Sequence, residues 1–114
     1  MTDKATIVFH EKTKEFHLYN NEISYIIQVM KNGQLGHLYY GKKLCDRESF
    51  SHLQEYAYRD MAPCEYWEDR TFSMEFLMQE YPAYGSSDFR YTAFDLEEEN
   101  GCRVNKFRYK EHKI

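Results

Sequence analysis

Two Asn-Gly pairs, Asn32-Gly33 and Asn100-Gly101, interrupt stretches of alternating apolar and polar residues, and that combination commits the chain to antiparallel hairpins. Asn-Gly is the preferred dipeptide of a type I′ turn, in which both central residues take positive φ. The first pair therefore predicts a hairpin between strands over residues 22–30 and 34–40. The second predicts one between residues 91–98 and 102–109. Upstream, residues 5–9 and 14–19 are short alternating segments separated by Glu11-Lys12-Thr13, which reads as an opening hairpin, and Asn20-Asn21 ends its second strand. In the strand over 22–30, Ile23, Tyr25, Ile27 and Val29 form one apolar face and Ile26 adds to the other, so burial on both sides is expected. Gly36 marks a bulge or a close backbone approach, and Gly41 a turn.

Alternation fails between residues 42 and 69. That long irregular loop carries Tyr56, Tyr58, Tyr66 and Trp67, with a helical turn expected somewhere over 49–58. Residues 107–114 still read as strand where the chain stops, which suggests a sheet completed elsewhere. Read this way, the fold class is all-β, an antiparallel β-sandwich with one long irregular loop.

Composition narrows function chiefly by exclusion. A chain of 114 residues suits one domain or part of one. A net charge of -4 with no basic cluster argues against nucleic acid, whose phosphates demand several Lys or Arg contacts. No apolar run approaches the roughly 20 residues that span a bilayer, and Met1-Thr2-Asp3-Lys4 opens no secretory segment, so a soluble cytoplasmic protein without a membrane partner is expected. Cys45, Cys64 and Cys102 are odd in number and far apart, matching reduced thiols rather than a zinc site. The 11 Tyr and 8 Phe mostly fit half-buried strands, where a ring packs on the pleat and a hydroxyl reaches water.

Candidate chemistry concentrates in Gln79-Glu80-Tyr81-Pro82-Ala83-Tyr84-Gly85 and the following Asp88-Phe89-Arg90. Tyrosine faces suit sugar stacking, and Glu80 with Asp88 offers two carboxyls, the number a glycosidase requires. Solvated or hydrogen-bonded loop carboxylates are far commoner than catalytic pairs, so no catalytic residue is assigned. His10, His17, His37, His52 and His112 have no ligand spacing, and His17 is expected to face water; no metal or other cofactor is expected. Arg70, between the aromatic loop and the strand-like residues 71–76, can donate a fork of hydrogen bonds to vicinal hydroxyls or pair with Glu68 or Asp69.

Taken in order, Phe16-His17-Leu18, Asn32-Gly33-Gln34-Leu35-Gly36-His37-Leu38-Tyr39-Tyr40-Gly41, Asp69-Arg70-Thr71-Phe72-Ser73 and the Gln79 to Arg90 segment resemble the start of bacterial α-galactosidases of glycoside hydrolase family 36. The resemblance runs over nearly the whole chain, through Phe107-Arg108-Tyr109-Lys110 to Ile114. It implies that residues 1–114 are the amino-terminal part of a β-supersandwich, followed in the complete enzyme by a catalytic (β/α)8 barrel and a carboxy-terminal β domain. It also implies retaining hydrolysis of terminal α-1,6-linked galactose from melibiose and raffinose, with both catalytic aspartates beyond Ile114 and this chain inactive alone.

The expected partners are the chain's own barrel, the α-galactoside substrate and further copies in a homo-oligomer, a tetramer by resemblance. Arg70 is the residue carried over as a substrate contact, reaching a neighbouring subunit's pocket. Two departures stand out. Where some relatives place an aspartate at the pocket rim, this chain has a longer loop with Gln54, Glu55 or Asp60, and Thr92 stands where relatives often have proline. Two other readings stay open: a stand-alone sugar-binding module using Tyr56, Tyr66, Trp67, Tyr81 and Tyr84, and a purely structural assembly domain.

Overall fold

The computed structural model describes residues 4–58, 68–69, 71–74, 77–85 and 90–114. Four strands, β1 (Thr6–His10), β2 (Glu15–Tyr19), β3 (Ile23–Val29) and β4 (Leu35–Lys42), form an antiparallel meander in the order β1-β2-β3-β4. Each connection has a local cause. Between β1 and β2 the chain turns over residues 11–14, with Lys14 left-handed at φ 55° and its amide donating to the His10 carbonyl at 2.7 Å. Between β2 and β3 the Asn20 side-chain oxygen accepts the amides of Glu22 and Ile23, both at 2.8 Å, which closes the turn where the strand was expected to end.

The Asn32-Gly33 hairpin forms, but not as a type I′ turn. Gly33 alone has positive φ, at 89°; its amide donates to the Met30 carbonyl, and Met30 N–H donates to the Gln34 carbonyl, both at 2.8 Å. This is a three-residue loop ending in a left-handed glycine. Asn32 stays out of the left-handed region because its own side-chain oxygen accepts the Gln34 amide at 3.1 Å. Asn100-Gly101 repeats the device: Gly101 sits at φ 84° and Asn100 accepts the Cys102 amide at 2.9 Å.

The strands expected over 91–98 and 102–109 are absent; one backbone bond, Glu98 N–H to the Cys102 carbonyl at 2.8 Å, joins the two arms, beside side-chain contacts of Arg103 with Glu97 and Asp95. Backbone amides of both arms reach upstream residues instead of forming a ladder. Asn105 donates its amide to the Tyr84 carbonyl at 3.0 Å and its side chain to the Leu96 carbonyl at 2.9 Å, while Ala93 donates to Pro82 at 3.0 Å. Residues 107–114 form no strand either. Tyr109 N–H donates to the Gly33 carbonyl at 2.6 Å, and the His112 ring packs on Phe9 and Phe16 with centroids 4.2 and 4.9 Å apart.

β4 carries a bulge, since Ile26 faces Tyr39 and the next residue, Ile27, faces His37, leaving Leu38 unpaired. Gly36 is the close approach: a Cβ there would lie 2.8 Å from Met30 Cγ. Gly41, expected at a turn, lies inside β4 opposite Ser24. Residues 78–80 then run antiparallel to the first half of β4, with His37 N–H donating to the Met78 carbonyl at 2.7 Å and Glu80 N–H to the Leu35 carbonyl at 2.9 Å.

The deeply buried face of the sheet is not the one with more apolar residues. Ile26, His17 and Ser24 are all 0 % exposed, whereas Ile23 is exposed and Tyr25, Ile27 and Val29 are half-buried. His17, expected in water, is therefore a core residue. The reason is the irregular loop, which folds over that face and sets Phe50 against the His17 ring at 5.1 Å. Burying Phe50 contributes about 1.5–3 kcal/mol by area alone. One 3-10 turn, Ser51–Leu53, is the helical element expected in this loop. A second cluster, Met30, Phe72, Met74 and Leu77, closes the end of β3. The described architecture is thus nearly all-β, as expected, with irregular segments supplying the layers packed against the sheet.

Candidate functional site

Beside the Asn32-Gly33 turn lies a cleft of about 290 Å³ lined by Thr13, Glu15, Gln28, Lys31, Gln54, Tyr56 and Phe72, among others. The sheet supplies its floor through Gln28 and Glu15. Its outer wall, Gln54 and Tyr56, comes from the irregular loop and is tied to the floor by a hydrogen bond between the Gln54 and Gln28 side chains. Its rim is the turn that begins at Asp69. There, Asp69 Oδ1 accepts the Thr71 amide at 2.9 Å and the Thr71 hydroxyl at 2.6 Å, the Asp69 carbonyl accepts the Phe72 amide at 3.1 Å, and Lys31 Nζ pairs with Asp69 Oδ2. Lys31, helped by both Thr71 donors, holds the Asp69 carboxyl well down, to about 2.

Arg70 lies outside the described residues. Tyr56 is 47 % exposed, with its hydroxyl titration raised by burial in the first place, opposed by Lys31 and assisted by Glu15 and Asp69. Gln54, one of the three residues offered for the departure at the pocket rim, lines the cleft; Asp60 is outside the described residues. A neutral hydroxyl, two amides and a lysine around one hollow can exchange hydrogen bonds with a polyhydroxylated ligand.

The Gln79 to Arg90 segment does different work. Glu80 accepts from His37 Nδ1 at 3.0 Å and from the Tyr25 hydroxyl, whose titration burial and then Glu80 push far up. Arg90 donates to the Leu77 carbonyl at 2.5 Å and also to the Met74 carbonyl, stapling the second core cluster. Both are fastenings. Asp88, proposed beside Glu80, lies outside the described residues, as do Tyr66, Trp67 and Cys64. Tyr81 stacks on Phe94 at 5.3 Å, and neither Tyr81 nor Tyr84 lines the cleft with Tyr56.

Sequence reasoning missed a polar network that runs from the core to the surface. Asp46 Oδ1 accepts from His17 Nδ1 at 2.8 Å and from His10 Nε2 at 2.9 Å, and His17 Nε2 lies 2.9 Å from Ser24 Oγ. Burial works against the Asp46 charge, yet the two histidines outweigh it and hold the carboxyl below its usual range. Ser24, His17 and Asp46 have the connectivity of a nucleophilic triad. They cannot act as one, because Ser24 and His17 are fully buried and Ser24 Oγ already accepts the Leu44 amide at 2.9 Å. The only signal in the sequence was strand parity, which sets His10, Glu15 and His17 on one face.

Among the described residues no group of three His, Cys, Asp or Glu is placed to hold a metal, and no helix is long and apolar enough to cross a membrane. Cys45 and Cys102 are free thiols.

Comparison with known proteins gives this geometry a setting. Residues 33–114 match the glycosyl hydrolase family 36 N-terminal domain. The chain is 40% identical over 112 residues to α-galactosidase AgaA of Geobacillus stearothermophilus, covering 96% of this chain and 15% of that protein. It is 34% identical over 110 residues to the bifunctional α-galactosidase/sucrose kinase AgaSK of Mediterraneibacter gnavus, covering 95% and 12%. The chain therefore spans only about one-seventh of the length of these relatives. Among solved structures, the galactosidase domain of AgaSK superposes with a TM-score of 0.80 at 33% identity, over 93% of this chain and 15% of that one. The α-galactosidase AgaB of Geobacillus stearothermophilus does so with a TM-score of 0.76 at 39% identity, over 95% and 14%. An AgaA variant solved with raffinose gives 0.73 at 41% identity, over 88% and 14%. Sequence and superposition agree: the chain belongs to the glycosyl hydrolase family 36 N-terminal domain family.

Proposed function

We propose that this chain is the non-catalytic amino-terminal part of a cytoplasmic enzyme that hydrolyses terminal α-linked galactose from raffinose-type sugars, and that its cleft forms the rim of a substrate pocket completed by another subunit. The observation that carries the reading is the cleft itself, where Gln54, Tyr56 and Lys31 meet the turn beginning at Asp69. In this reading Arg70, between Asp69 and Thr71, donates to hydroxyls of the substrate across the interface of a homo-oligomer, a tetramer by resemblance. Hydrolysis with retention needs two carboxyls about 5 Å apart, and the fastened Glu80 is unsuited to that work. The catalytic pair belongs to a barrel in the remainder of the enzyme.

The test is kinetic. In the enzyme that carries this chain, Arg70→Ala and Tyr56→Ala raise KM for raffinose on the order of tenfold, as expected when a binding contact is removed. An unchanged KM for both variants refutes the rim assignment. The 114-residue chain alone turns over no p-nitrophenyl α-galactoside, and activity above background refutes the placement of catalysis elsewhere.

A sugar-binding module remains the second reading, favoured by the exposure of Tyr81 at 58% and Tyr84 at 46%. Saturable shifts of these rings with melibiose, in the isolated chain, select it over the first.

A further inference from the structure

The cleft's outer wall belongs to a segment whose described residues form one three-residue helical turn, so its position depends on what fastens it to the sheet. Besides the Gln28–Gln54 tie and a bond from the Thr13 hydroxyl to the Glu48 carbonyl, side chains from three strands fasten its approach. Ser24 Oγ accepts the Leu44 amide, Asp46 is gripped by His10 and His17, and the Glu15 carboxylate, itself 2% exposed, accepts the Phe50 amide at 3.0 and 3.2 Å. The wall begins four residues beyond Phe50, at Gln54.

Hydrogen-bond accounting places a proton on one nitrogen of the central group. An ionised Asp46 can only accept, so His17 Nδ1 must carry a proton. In a neutral imidazole Nε2 is then bare and accepts the Ser24 hydroxyl, which in turn accepts from Leu44 N–H. Each of these groups has its partner in that arrangement. Truncating Asp46 leaves the His17 N–H without its partner inside the core.

We propose that His17, acting through Asp46 and Ser24, is a positioning residue that sets where Gln54 and Tyr56 stand and thereby how well the cleft holds a galactose-ended oligosaccharide. The inference rests on the reading of the cleft as a substrate rim.

The experiment separates the two. In the enzyme carrying this chain, Asp46→Ala raises KM for raffinose on the order of fivefold while kcat stays within about twofold, and Asp46→Asn, which keeps an accepting oxygen, restores most of the loss. If Arg70→Ala and Tyr56→Ala raise KM but Asp46→Ala does not, the positioning role is overturned and the rim stands. If none of the three changes KM, the rim itself has failed, and the positioning role with it. A fall in kcat at constant KM, or no rescue by Asn, also overturns the inference. Should Asp46→Ala not fold, imidazole nitrogen NMR and amide exchange on the unaltered 114-residue chain decide. A proton on His17 Nδ1, with Leu44 and Phe50 amides protected together, supports the clamp. An Nε2–H tautomer, or Leu44 and Phe50 amides exchanging as in an unstructured chain, overturns it.

Discussion

Gly36 and Met30 meet across the β3–β4 hairpin with no room for a methyl group, since a Cβ on Gly36 would stand 2.8 Å from Met30 Cγ and 2.9 Å from its sulfur. Met30 cannot swing clear easily, because it is packed among Phe72, Met74 and Leu77. Gly36→Ala is therefore an overpacking change, expected to cost about 1–3 kcal/mol. The urea midpoint of the chain measures it, and an unaltered midpoint would show that Met30 has space to retreat.

Gly33 tests a different term. Its φ of 89° is unfavourable for any residue with a Cβ, while the nearest atoms to such a Cβ, on Arg108, are at an ordinary 3.4 Å. Gly33→Ala is expected to destabilise by about 1–2 kcal/mol through backbone strain. Asn, which tolerates left-handed backbone better, costs less at the same position. Equal losses for Ala and Asn would point to contact with Arg108 as the cause.

Arg90 supplies a third case. Its guanidinium serves the carbonyls of Met74 and Leu77 at once, which a lysine's point-like ammonium cannot copy. Arg90→Met strands these carbonyls and should cost about 1–3 kcal/mol, with Arg90→Lys recovering only part of it. Thermal unfolding of the three proteins gives the ranking.

Acid reads the Asp69 turn. With the folded carboxyl held at about 2 against an ordinary value near 3.9, the turn's ionic support is complete above roughly pH 4 and is lost as pH falls through 2. Carbon NMR of the Asp69 carboxyl should show a midpoint near 2, and Lys31→Met should move it upward. A midpoint that ignores Lys31 would dissolve the pairing.

Much of the sheet was legible because alternation and turn residues are local signals. Asn20 closes its turn through its own side chain, and Asn32-Gly33 marks the hairpin, although the turn type differs because Asn32 spends its oxygen on Gln34 N–H. The arms of Asn100-Gly101 have the right composition for strands, yet strands need ladder partners and the backbone amides of Asn105 and Ala93 bond to Tyr84 and Pro82 instead. The cleft was legible only in part. Gln54 and Tyr56 were named, but Gln28 and Lys31 join them through tertiary packing. His17 was misread because polarity predicts solvent exposure until a carboxylate 29 residues away is known to fold over it.

The two Asn-Gly turns share one backbone design and differ in their surroundings. Deamidation at Asn-Gly proceeds when the glycine nitrogen attacks the asparagine side-chain carbon, a step that needs the amide group free to rotate. Asn32 is 8% exposed, and its amide is held by Gln34 on both the oxygen and nitrogen sides. Asn100 is exposed, tethered through its oxygen to Cys102. On long storage the same dipeptide should therefore age at two rates, and the added negative charge will accumulate at the outer turn while the turn beside the cleft keeps its original chemistry.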